Sequence, residues 1–414
     1  MKVMMSVLTE RLRGKTEEYM ADEQAGFRKD RSTVQQILTL RLIGEKARRK
    51  NSKIYNCFVD FSKAFDSIDQ STTWAAMESF GVDKRLTRLL KEINGNATAA
   101  VRIGSEKGHW FKTSRGTRQG DPISPSSFII LLERVLDKIR DKEDGVVISG
   151  TNINNLCFAD DIDLIERDEE RLETTVQALN EEGKRYGLTM NFEKTKILVF
   201  GEKDYSKKLA IDGNQLENVE KFTYLGSNMT YDLDNRKEVW TRIAKSIAAL
   251  KAMDKIWKSK SIKMETKKKV LQTCIFSVVL YGCESWTITK EIEQRLLTFE
   301  RKCYRKILGI DWTQKVTNAE LYKRIRQKEN IMQKLIGRKL RLFGHICRMK
   351  DDRKIKTLMF GRMEGTNRRG RPHREWLDDI TRWGRASLQE LSHAAMDRGR
   401  WRSLMKMAVD TYGR

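Results

Sequence analysis

Acidic residues stand at the ends of apolar, strand-like segments at two places in the chain. Asp60 follows IYNCFV, and the pair Asp160 and Asp161 separates LCFA from IDLI. The β-branched and aromatic content predicts short core strands, and LCFADDIDLIE reads as two strands that meet at the aspartate pair. Carboxylates at the ends of core strands are costly unless a positive charge neutralises them. The alternative is that ADD is simply a polar hairpin turn.

A shared cation would bring these three carboxylates together. Two adjacent aspartates repel each other unless a cation is present, and bound Mg²⁺ suits a set of hard oxygen ligands. Asp60 would have to approach the other two carboxylates to bind the same ions. We therefore expect Asp60, Asp160 and Asp161 to cluster at the edge of one antiparallel sheet.

The segments around these carboxylates alternate between predicted strands and helices. ILVFG reads as a further strand, AAVRIGSEKGHWFKT as a hairpin, and residues 126–140 and 169–186 as helices. Ser32 and Thr33 are natural caps for the helix that follows the loop ADEQAGFRKDRST. This pattern predicts an α+β fold in which helices cover one face of a sheet.

After about residue 236 the sequence becomes helical and basic. Residues 236–414 carry 44 Lys+Arg and 19 Asp+Glu, a balance of +25, so almost the whole net charge of +24 lies there. A basic excess over so long a region predicts a nucleic-acid partner, although a single such helix would suggest only a solvated surface.

A basic loop, GRMEGTNRRGRPHREW, should lead into one or two short helices. One predicted helix places five apolar residues on one face: Ile292, Leu296, Phe299, Cys303 and Ile307.

The six cysteines indicate neither disulfides nor a metal site of their own. No CxxC pair occurs, and Cys347 has only His345 nearby, so we expect no zinc site. Unpaired cysteines indicate a reducing compartment, so we expect an intracellular protein of the cytoplasm, the nucleus or both. The N-terminus lacks the apolar run of a signal peptide, and no segment reaches the length of a membrane span. We expect no membrane partner, and the oligomeric state is left open.

Three motifs in order along the chain resemble motifs A, B and C of reverse transcriptases. They are FVDFSKAFDSID at 58–69, RQGDPISP at 118–125 and FADD at 158–161. QAGFRKDRST at 24–33 is similar to the family's fingers motif, GLTMNFEKTKILVFG at 187–201 to motif D, and YLGS at 224–227 to the primer grip. The resemblance is closest to the LINE-type, or non-LTR retrotransposon, group.

The resemblance implies a right-hand polymerase. Residues 1–50 would be partial fingers, 51–235 a palm with an antiparallel sheet and a fingers insertion, 236–348 a helical thumb, and 349–414 a basic C-terminal nucleic-acid-binding segment. The implied function is an RNA-directed DNA polymerase that extends a DNA primer on an RNA template with deoxynucleoside triphosphates.

Some parts of the family's pattern have no counterpart in this sequence. They are the endonuclease domain, the first fingers motif and the C-terminal Cys/His knuckle. A catalytically weak or inactive nucleic-acid-binding relic is therefore the alternative, and the bulky Phe65 argues against a third interpretation, an RNA-dependent RNA polymerase. RGRP at 369–372 equals the core of an AT-hook, although a flexible basic loop that contacts phosphates is the simpler interpretation.

Position by position, the resemblance makes Asp60, Asp160 and Asp161 the catalytic metal ligands. They would hold two Mg²⁺ ions, about 3.5–4 Å apart, which activate the primer hydroxyl and steady the departing pyrophosphate. Mn²⁺ is a possible substitute. Phe65 takes the steric-gate position, where a bulky ring excludes a ribose 2′-OH; alone, it would read as a core aromatic.

The resemblance also implies contacts to the nucleotide and the template. Arg28 matches the fingers arginine that faces the incoming triphosphate, and Gln119 and Gly120 match the motif B loop. Either Lys194 or Lys196 matches the motif D lysine that protonates pyrophosphate, and the sequence does not choose between them. Read alone, each of these is an ordinary surface or turn residue.

Overall fold

A computed structural model describes residues 2–140, 144–203, 209–327 and 329–412, with the side chain of Trp312 left out. The strands are β1 (Ile54–Val59), β2 (Thr98–Ile103), β3 (Glu106–Lys112), β4 (Val146–Ile148), β5 (Thr151–Ile153), β6 (Asn155–Phe158), β7 (Asp161–Glu166), β8 (Lys196–Phe200), β9 (Ala210–Ile211), β10 (Asn214–Gln215), β11 (Glu217–Asn218), β12 (Lys221–Tyr224) and β13 (Ser227–Thr230). The helices are α1 (Lys2–Thr16), α2 (Thr33–Arg49), α3 (Ala64–Ser67), α4 (Gln70–Ser79), α5 (Lys84–Gly95), α6 (Ser124–Asp137), α7 (Glu169–Arg185), α8 (Asn235–Ala252), α9 (Asp254–Lys258), α10 (Met264–Val270), α11 (Ser277–Val279), α12 (Lys290–Leu308), α13 (Asn318–Ile325), α14 (Ile331–Cys347), α15 (Lys354–Phe360), α16 (Trp376–Gly384), α17 (Leu388–Met396) and α18 (Arg398–Thr411).

The main sheet has five strands in the order β11-β8-β1-β7-β6. Its central strand, β1, pairs antiparallel with both β7 and β8, and β6 and β7 form a hairpin. Only the short β11 runs parallel to its neighbour, β8. The fold is therefore α+β, and the predicted strands at IYNCFVDF, LCFADDIDLIE and ILVFG are confirmed.

Helices cover both faces of this sheet, so the expectation of helices on one face is wrong. Ile54 and Phe58 of β1 point into a core that includes residues of α2, whereas Cys57 and Val59 point into a core formed with α6 and α7. Successive side chains of a strand face opposite sides, so an almost wholly apolar strand requires a cover on each. The apolar character of IYNCFV, interrupted only by Asn56, is typical of such a doubly covered strand.

Several predicted local elements are confirmed by the structure. The side chain of Ser32 caps α2 by accepting a hydrogen bond from the backbone N–H of Gln35 at 3.3 Å. β2 and β3 form the predicted hairpin. All five residues on the predicted apolar face of α12 are buried: Ile292, Leu296, Phe299, Cys303 and Ile307.

The region after residue 236 is helical as predicted, with a π-helical segment, Leu271–Phe276, between α10 and α11. One detail of the prediction is wrong. The basic loop leads into three helices, α16, α17 and α18, because Gly384 and Asp397 end or begin short helices within a segment that reads as amphipathic. One hydrophobic core runs from the α2 side of the sheet through these C-terminal helices.

The sequence also predicts that the cysteines form no disulfides and that no segment spans a membrane. The six cysteines all lie in the described ranges, none of them forms a disulfide bond, and five of them are buried. None of the helices in the described ranges is long and apolar enough to cross a lipid bilayer.

Candidate active site

The sheet brings the three predicted aspartates to one edge. Val59, the last residue of β1, lies opposite Ile162 of β7, so Asp60 leaves the sheet beside Asp161. Phe158 pairs with Asp161 across the β6–β7 hairpin, which leaves Ala159 and Asp160 as its two-residue turn. The carboxylates of the two motifs are therefore neighbours, although about a hundred residues separate them in the chain.

The electrostatics of the three carboxylates reflects their proximity. Burial, followed by repulsion from Asp160 and then from Asp60, raises the pKa of Asp161 to about 6. Burial chiefly, with repulsion from Asp60, also raises the pKa of Asp160. Both shifts show that the ionised forms are disfavoured here, because partial desolvation and like charges act in the same direction. A nearby cation would reverse this effect.

Lys194, rather than Lys196, contacts one of the three aspartates, Asp60. The Nζ of Lys194 is 3.7 Å from Oδ2 of Asp60, and its side chain is 69% exposed. The Nζ of Lys196 instead contacts Oε2 of Glu217 at 2.6 Å. The geometry thus separates two lysines that the sequence could not distinguish.

The loop before β8 fixes the position of Asp60. The buried Thr195 accepts a hydrogen bond from the Asp60 N–H through its Oγ1 at 3.2 Å, and the carbonyl of Asp60 accepts one from the N–H of Asn191 at 2.8 Å. Oδ2 of Asp60 is buried and has no hydrogen-bond partner in the described part of the chain. The backbone is thus held while one carboxylate oxygen is left for another ligand.

The chemistry of this donor set fits divalent cations, because hard carboxylate oxygens are the ligands that Mg²⁺ prefers. Oδ2 of Asp60 has no hydrogen-bond partner among the described residues and only the longer contact to Lys194, and the pKa values of Asp160 and Asp161 are raised; both observations favour a bound cation. Within the described ranges, however, no three His, Cys, Asp or Glu side chains are already arranged to hold a metal ion. The aspartates are neighbours whose side chains would have to converge on an ion.

A glutamine and a glycine that sequence reasoning passed over brace the turn that carries Asp160. Oε1 of Gln24, which is 1% exposed, accepts hydrogen bonds from the N–H of Ala159 at 3.0 Å and from the N–H of Gly26 at 2.8 Å. Ala159 has a positive φ of 59°, an unfavourable conformation for a residue with a side chain. A Cβ on Gly26 would lie 2.2 Å from the Ala159 nitrogen, so only glycine permits this approach.

The same segment pairs with the free edge of the sheet. Gln24 bridges Cys157 of β6 in parallel, with hydrogen bonds from Ala25 N–H to the Cys157 carbonyl at 2.8 Å and from Cys157 N–H to the Glu23 carbonyl at 3.1 Å. The fingers-like motif QAGFR therefore buttresses the aspartate turn directly. Gly26 is the residue from which the sequence could have indicated this contact, because a glycine permits another backbone to approach closely.

Arg28 is engaged within the protein. Its guanidinium contacts Glu17 at 2.7 Å and donates to the carbonyls of Gln24, at 2.9 Å, and Ala21. The side chain is only 4% exposed, whereas that of Glu17 is 51% exposed. In this arrangement the guanidinium of Arg28 fixes the loop after α1.

Phe65 and the motif B loop lie in different surroundings. The half-buried ring of Phe65 stacks on Phe128 with centroids 4.2 Å apart and meets Phe27 edge-on at 6.3 Å. Gln119 and Gly120 are exposed. Gly120 has a φ of +87° and nothing within 4 Å of the position of a Cβ, so its backbone conformation, and not crowding, requires glycine.

The turn that resembles a primer grip is held from the helical side. It joins β12 to β13, and the hydroxyl of Tyr281 donates to the carbonyl of Leu225 at 2.9 Å. The guanidinium of Arg242 lies over the Tyr281 ring, 4.5 Å from its centroid, and also contacts the carbonyl of Gly226. The first helix after residue 234 therefore fixes this turn.

Comparison with known families decides the assignment. The family model described as reverse transcriptase (RNA-dependent DNA polymerase) matches residues 1–229, more than half of the chain. The chain belongs to the reverse transcriptase family. The match ends within β13 and so includes all three aspartates.

The relatives are retrotransposon proteins. The chain is 26% identical over 278 residues to the Pol polyprotein of an R2 element of Popillia japonica, covering 64% of this chain and 44% of that protein. It is 26% identical over 193 residues to an R2 polyprotein of Nasonia vitripennis, covering 44% of this chain and 19% of that protein. The predicted LINE-type resemblance is confirmed. The chain spans less than half the length of these polyproteins.

Two further proteins are also similar to this chain. A transposon-derived protein of Caenorhabditis elegans is 29% identical over 219 residues, covering 50% of this chain and 76% of that protein. Telomerase from Candida albicans, in complex with a telomeric RNA fragment, superposes with a TM-score of 0.42 at 11% identity, covering 86% of this chain and 56% of that chain. At so low a TM-score the fold assignment rests on the chain's own sheet and its family.

Proposed function

We propose that this chain is the catalytic core of an RNA-directed DNA polymerase from a non-LTR retrotransposon. It would extend a DNA primer on an RNA template and consume deoxynucleoside triphosphates. The observation that carries the proposal is the meeting of Asp60, Asp160 and Asp161 at one sheet edge in a member of the reverse transcriptase family. Carboxylates from separate motifs have no structural need to share an edge, because like charges repel there.

Asp60, Asp160 and Asp161 would hold two divalent ions, Mg²⁺ or in substitution Mn²⁺. When bound, the ions would neutralise the carboxylates and polarise the primer hydroxyl and the phosphate oxygens. The chain's own contribution is to fix the ligands: Thr195 holds the backbone of Asp60, and Gln24 holds the turn of Asp160. Oδ2 of Asp60 is the oxygen with an unused bonding capacity.

The surrounding side chains would select and orient the nucleotide. Phe65 would exclude a ribose 2′-OH, and its stacking on Phe128 would keep the ring rigid. Gln119 and Gly120 would line the nucleotide and template side. Lys194 is the better candidate for donating a proton to pyrophosphate, since it lies 3.7 Å from Asp60 while Lys196 pairs with Glu217.

Arg28 would contact a triphosphate only after a rearrangement. Its ion pair with Glu17 and its two backbone carbonyl contacts would first have to break. The exposed position of Glu17 makes that pair the weaker part of the arrangement, because solvent screens exposed ion pairs. Closure of the fingers on a nucleotide would be the event that releases Arg28.

The division into parts follows the same proposal. Residues 1–50 would be partial fingers, 51–235 the palm with its fingers insertion, 236–348 the thumb and 349–414 a basic nucleic-acid-binding segment. The start of α8 at Asn235 supports the boundary between palm and thumb. The balance of +25 over residues 236–414 supports RNA and DNA as partners of the helical part.

A second candidate function, a nucleic-acid-binding relic with little or no polymerase activity, is favoured by two observations. No metal site is ready-formed among the described residues, and Arg28 is engaged in an internal ion pair. Such a protein would keep the basic surface and bind a primer–template without extending it. Binding and extension measured side by side therefore separate the two functions.

Primer extension by the purified chain tests the proposal. A DNA primer is annealed to an RNA template or to a DNA template of the same sequence, and products are resolved with Mg²⁺ or Mn²⁺ present. We expect extension with deoxynucleotides on the RNA template. Tight, salt-sensitive binding of the primer–template without any extension on either template would instead support the relic.

A further inference from the structure

A basic surface lies at the end of the sheet remote from the aspartates. α2 ends at Arg49, β1 begins at Ile54, and Asp60 follows the opposite end of β1. At about 3.3 Å per residue, the six residues of β1 separate the two ends by roughly 20 Å. The end of α2 meets the loop before α16 here, where the Arg368 N–H donates to the carbonyl of Arg49 at 2.8 Å.

Lysine contacts hold this loop against the helix. The Nζ of Lys46 donates to the carbonyl of Gly361 at 2.6 Å, and the Nζ of Lys50 donates to that of Gly365 at 2.7 Å. Beyond the loop, the buried Trp376 begins α16 and anchors the segment in the core. The basic side chains of the loop are thus carried on a backbone with defined attachments.

Two neighbouring cavities open on this surface, with volumes of about 290 and 390 Å³. They share Arg49 and Asn367 in their linings. Eight basic side chains line them, four from residues 46–50 and four from residues 362–371, against only two carboxylates. We call these eight side chains, with His373, the distal basic surface.

The two carboxylates do little to neutralise the distal basic surface. Glu45 is buried and accepts hydrogen bonds from the hydroxyl of Thr287 and the backbone N–H of Trp376. Glu375 pairs with Arg49. Even when both carboxylates are counted, the linings of the two cavities carry an excess of six positive charges, a costly arrangement unless an anion binds there.

Three arginines of the loop are open to an external anion. Arg368, Arg369 and Arg371 are exposed, and no carboxylate lies within ion-pair distance of them in the described part of the chain. His373 reports the resulting field, because the positive charge of Arg48, with burial and Arg368 next, lowers its pKa.

We propose that the distal basic surface binds the phosphodiester backbone of a nucleic-acid strand outside the catalytic site. The inference rests on the proposed function in one respect, namely that a polymerase of this class holds a template long enough to reach the surface. Arginine forks match phosphate oxygens, and two adjoining cavities can receive successive phosphates. No large apolar side chain is exposed within residues 46–50 or 361–373, so the surface lacks what insertion into a membrane requires.

The separation of the two sites sets a length requirement. A strand that spans roughly 20 Å needs about six nucleotides at the stacked rise of about 3.4 Å each. A short primer–template held at the aspartates would therefore not reach the distal basic surface. The same primer–template with a long single-stranded template extension would reach it and gain affinity.

The experiment measures the affinity of the full chain for these two primer–templates by fluorescence anisotropy over a range of salt concentrations. The test variant is Arg368→Ala/Arg369→Ala/Arg371→Ala. The matched control removes three exposed cations from α18, Arg398→Ala/Arg402→Ala/Lys406→Ala.

We expect the test variant to bind the extended primer–template roughly tenfold to a hundredfold more weakly, with a salt slope shallower by about two to three units. Its affinity for the short primer–template should match that of the parent, and the control should retain the gain from the extension. The double variant Arg369→Ala/Arg371→Ala, which keeps the contacts of Arg368, should show a smaller loss in the same direction.

Two results would overturn the proposal. An equal loss in the α18 control would show that only total charge matters. The other result is that inorganic phosphate alone stabilises the parent but not the test variant, while the template extension has no effect on affinity. The surface would then be a small-anion site. If the parent extends no primer but its extension-dependent binding remains, the polymerase assignment fails while the distal basic surface stands.

Discussion

Truncation of Gln24 tests whether the fingers-like motif positions the catalytic turn. Gln24→Ala removes the acceptor of two buried N–H groups, those of Ala159 and Gly26. A buried donor left unsatisfied costs about 1–3 kcal/mol, so the two together should lower the free energy of unfolding by about 2–4 kcal/mol after local relaxation. A domain of this size tolerates such a loss and still folds.

The functional effect should exceed this loss of stability. The freed turn carries Asp160, and displacement of a ligand by about 1 Å can reduce a rate roughly a hundredfold. We expect a lower kcat and a higher Mg²⁺ concentration for half-maximal primer extension, with little change in KM for the nucleotide. Thermal unfolding and a Mg²⁺ titration of single-nucleotide incorporation provide the two measurements.

Gln36→Ala is the matched control. Gln36 is also a buried glutamine, and its Nε2 donates to the carbonyls of Glu23 at 2.6 Å and Cys157 at 3.0 Å, along the same sheet edge but not to the turn residues Ala159 and Asp160. The two variants should lose similar stability, yet only Gln24→Ala should shift the Mg²⁺ dependence. Identical Mg²⁺ titrations for both variants, well below their melting temperatures, would refute a positioning role for Gln24.

Further predictions concern the gate, the lysine and the pH dependence. Phe65→Val should admit ribonucleotides with little effect on deoxynucleotide use, whereas Phe27→Val should not; continued rejection of ribonucleotides by Phe65→Val would leave Phe65 a core residue. Lys194→Met should slow single-turnover incorporation roughly tenfold or more, and Lys196→Met should not. Burial raises the pKa of Asp161 to about 6. The protonated carboxyl of Asp161 therefore contributes to the free energy of unfolding of the metal-free protein at about pH 4, and this contribution should be lost as the pH rises through about 6. Because Asp161 is desolvated only in part and the residue remains open to solvent, screening should limit the loss to about 1 kcal/mol, and Asp161→Asn should abolish it in pH-dependent unfolding curves.

The sequence predicts the central part of the site because the strands and carboxylates are local signals. The apolar character of IYNCFV and LCFADDIDLIE identifies β1, β6 and β7, and the positions of Asp60 and Asp160 follow from where those strands end. The chain's resemblance to a known family then supplies the expectation that distant segments meet. The pairing of β1 with β7 is the physical form of that expectation.

Other features depend on contacts between distant segments that no local pattern records. The brace from Gln24 to Ala159 joins residues 135 positions apart, and a glutamine in a loop carries no pattern of its own. The second covered face of the sheet follows only from where α2 packs. Lys194 and Lys196 have the same chemistry in sequence, and only the position of Glu217 separates them.

Single-nucleotide incorporation by aspartate variants tests the central claim most directly. Asp60→Asn is compared with Asp66→Asn, an exposed aspartate of the same motif, on a DNA primer annealed to an RNA template. We predict that Asp60→Asn loses at least roughly a thousandfold in rate, since it removes a ligand of the reacting centre, while it melts like the parent and binds the primer–template normally. Asp66→Asn should retain the parent's rate. Undiminished incorporation by Asp60→Asn would contradict the assignment of these carboxylates as the catalytic centre.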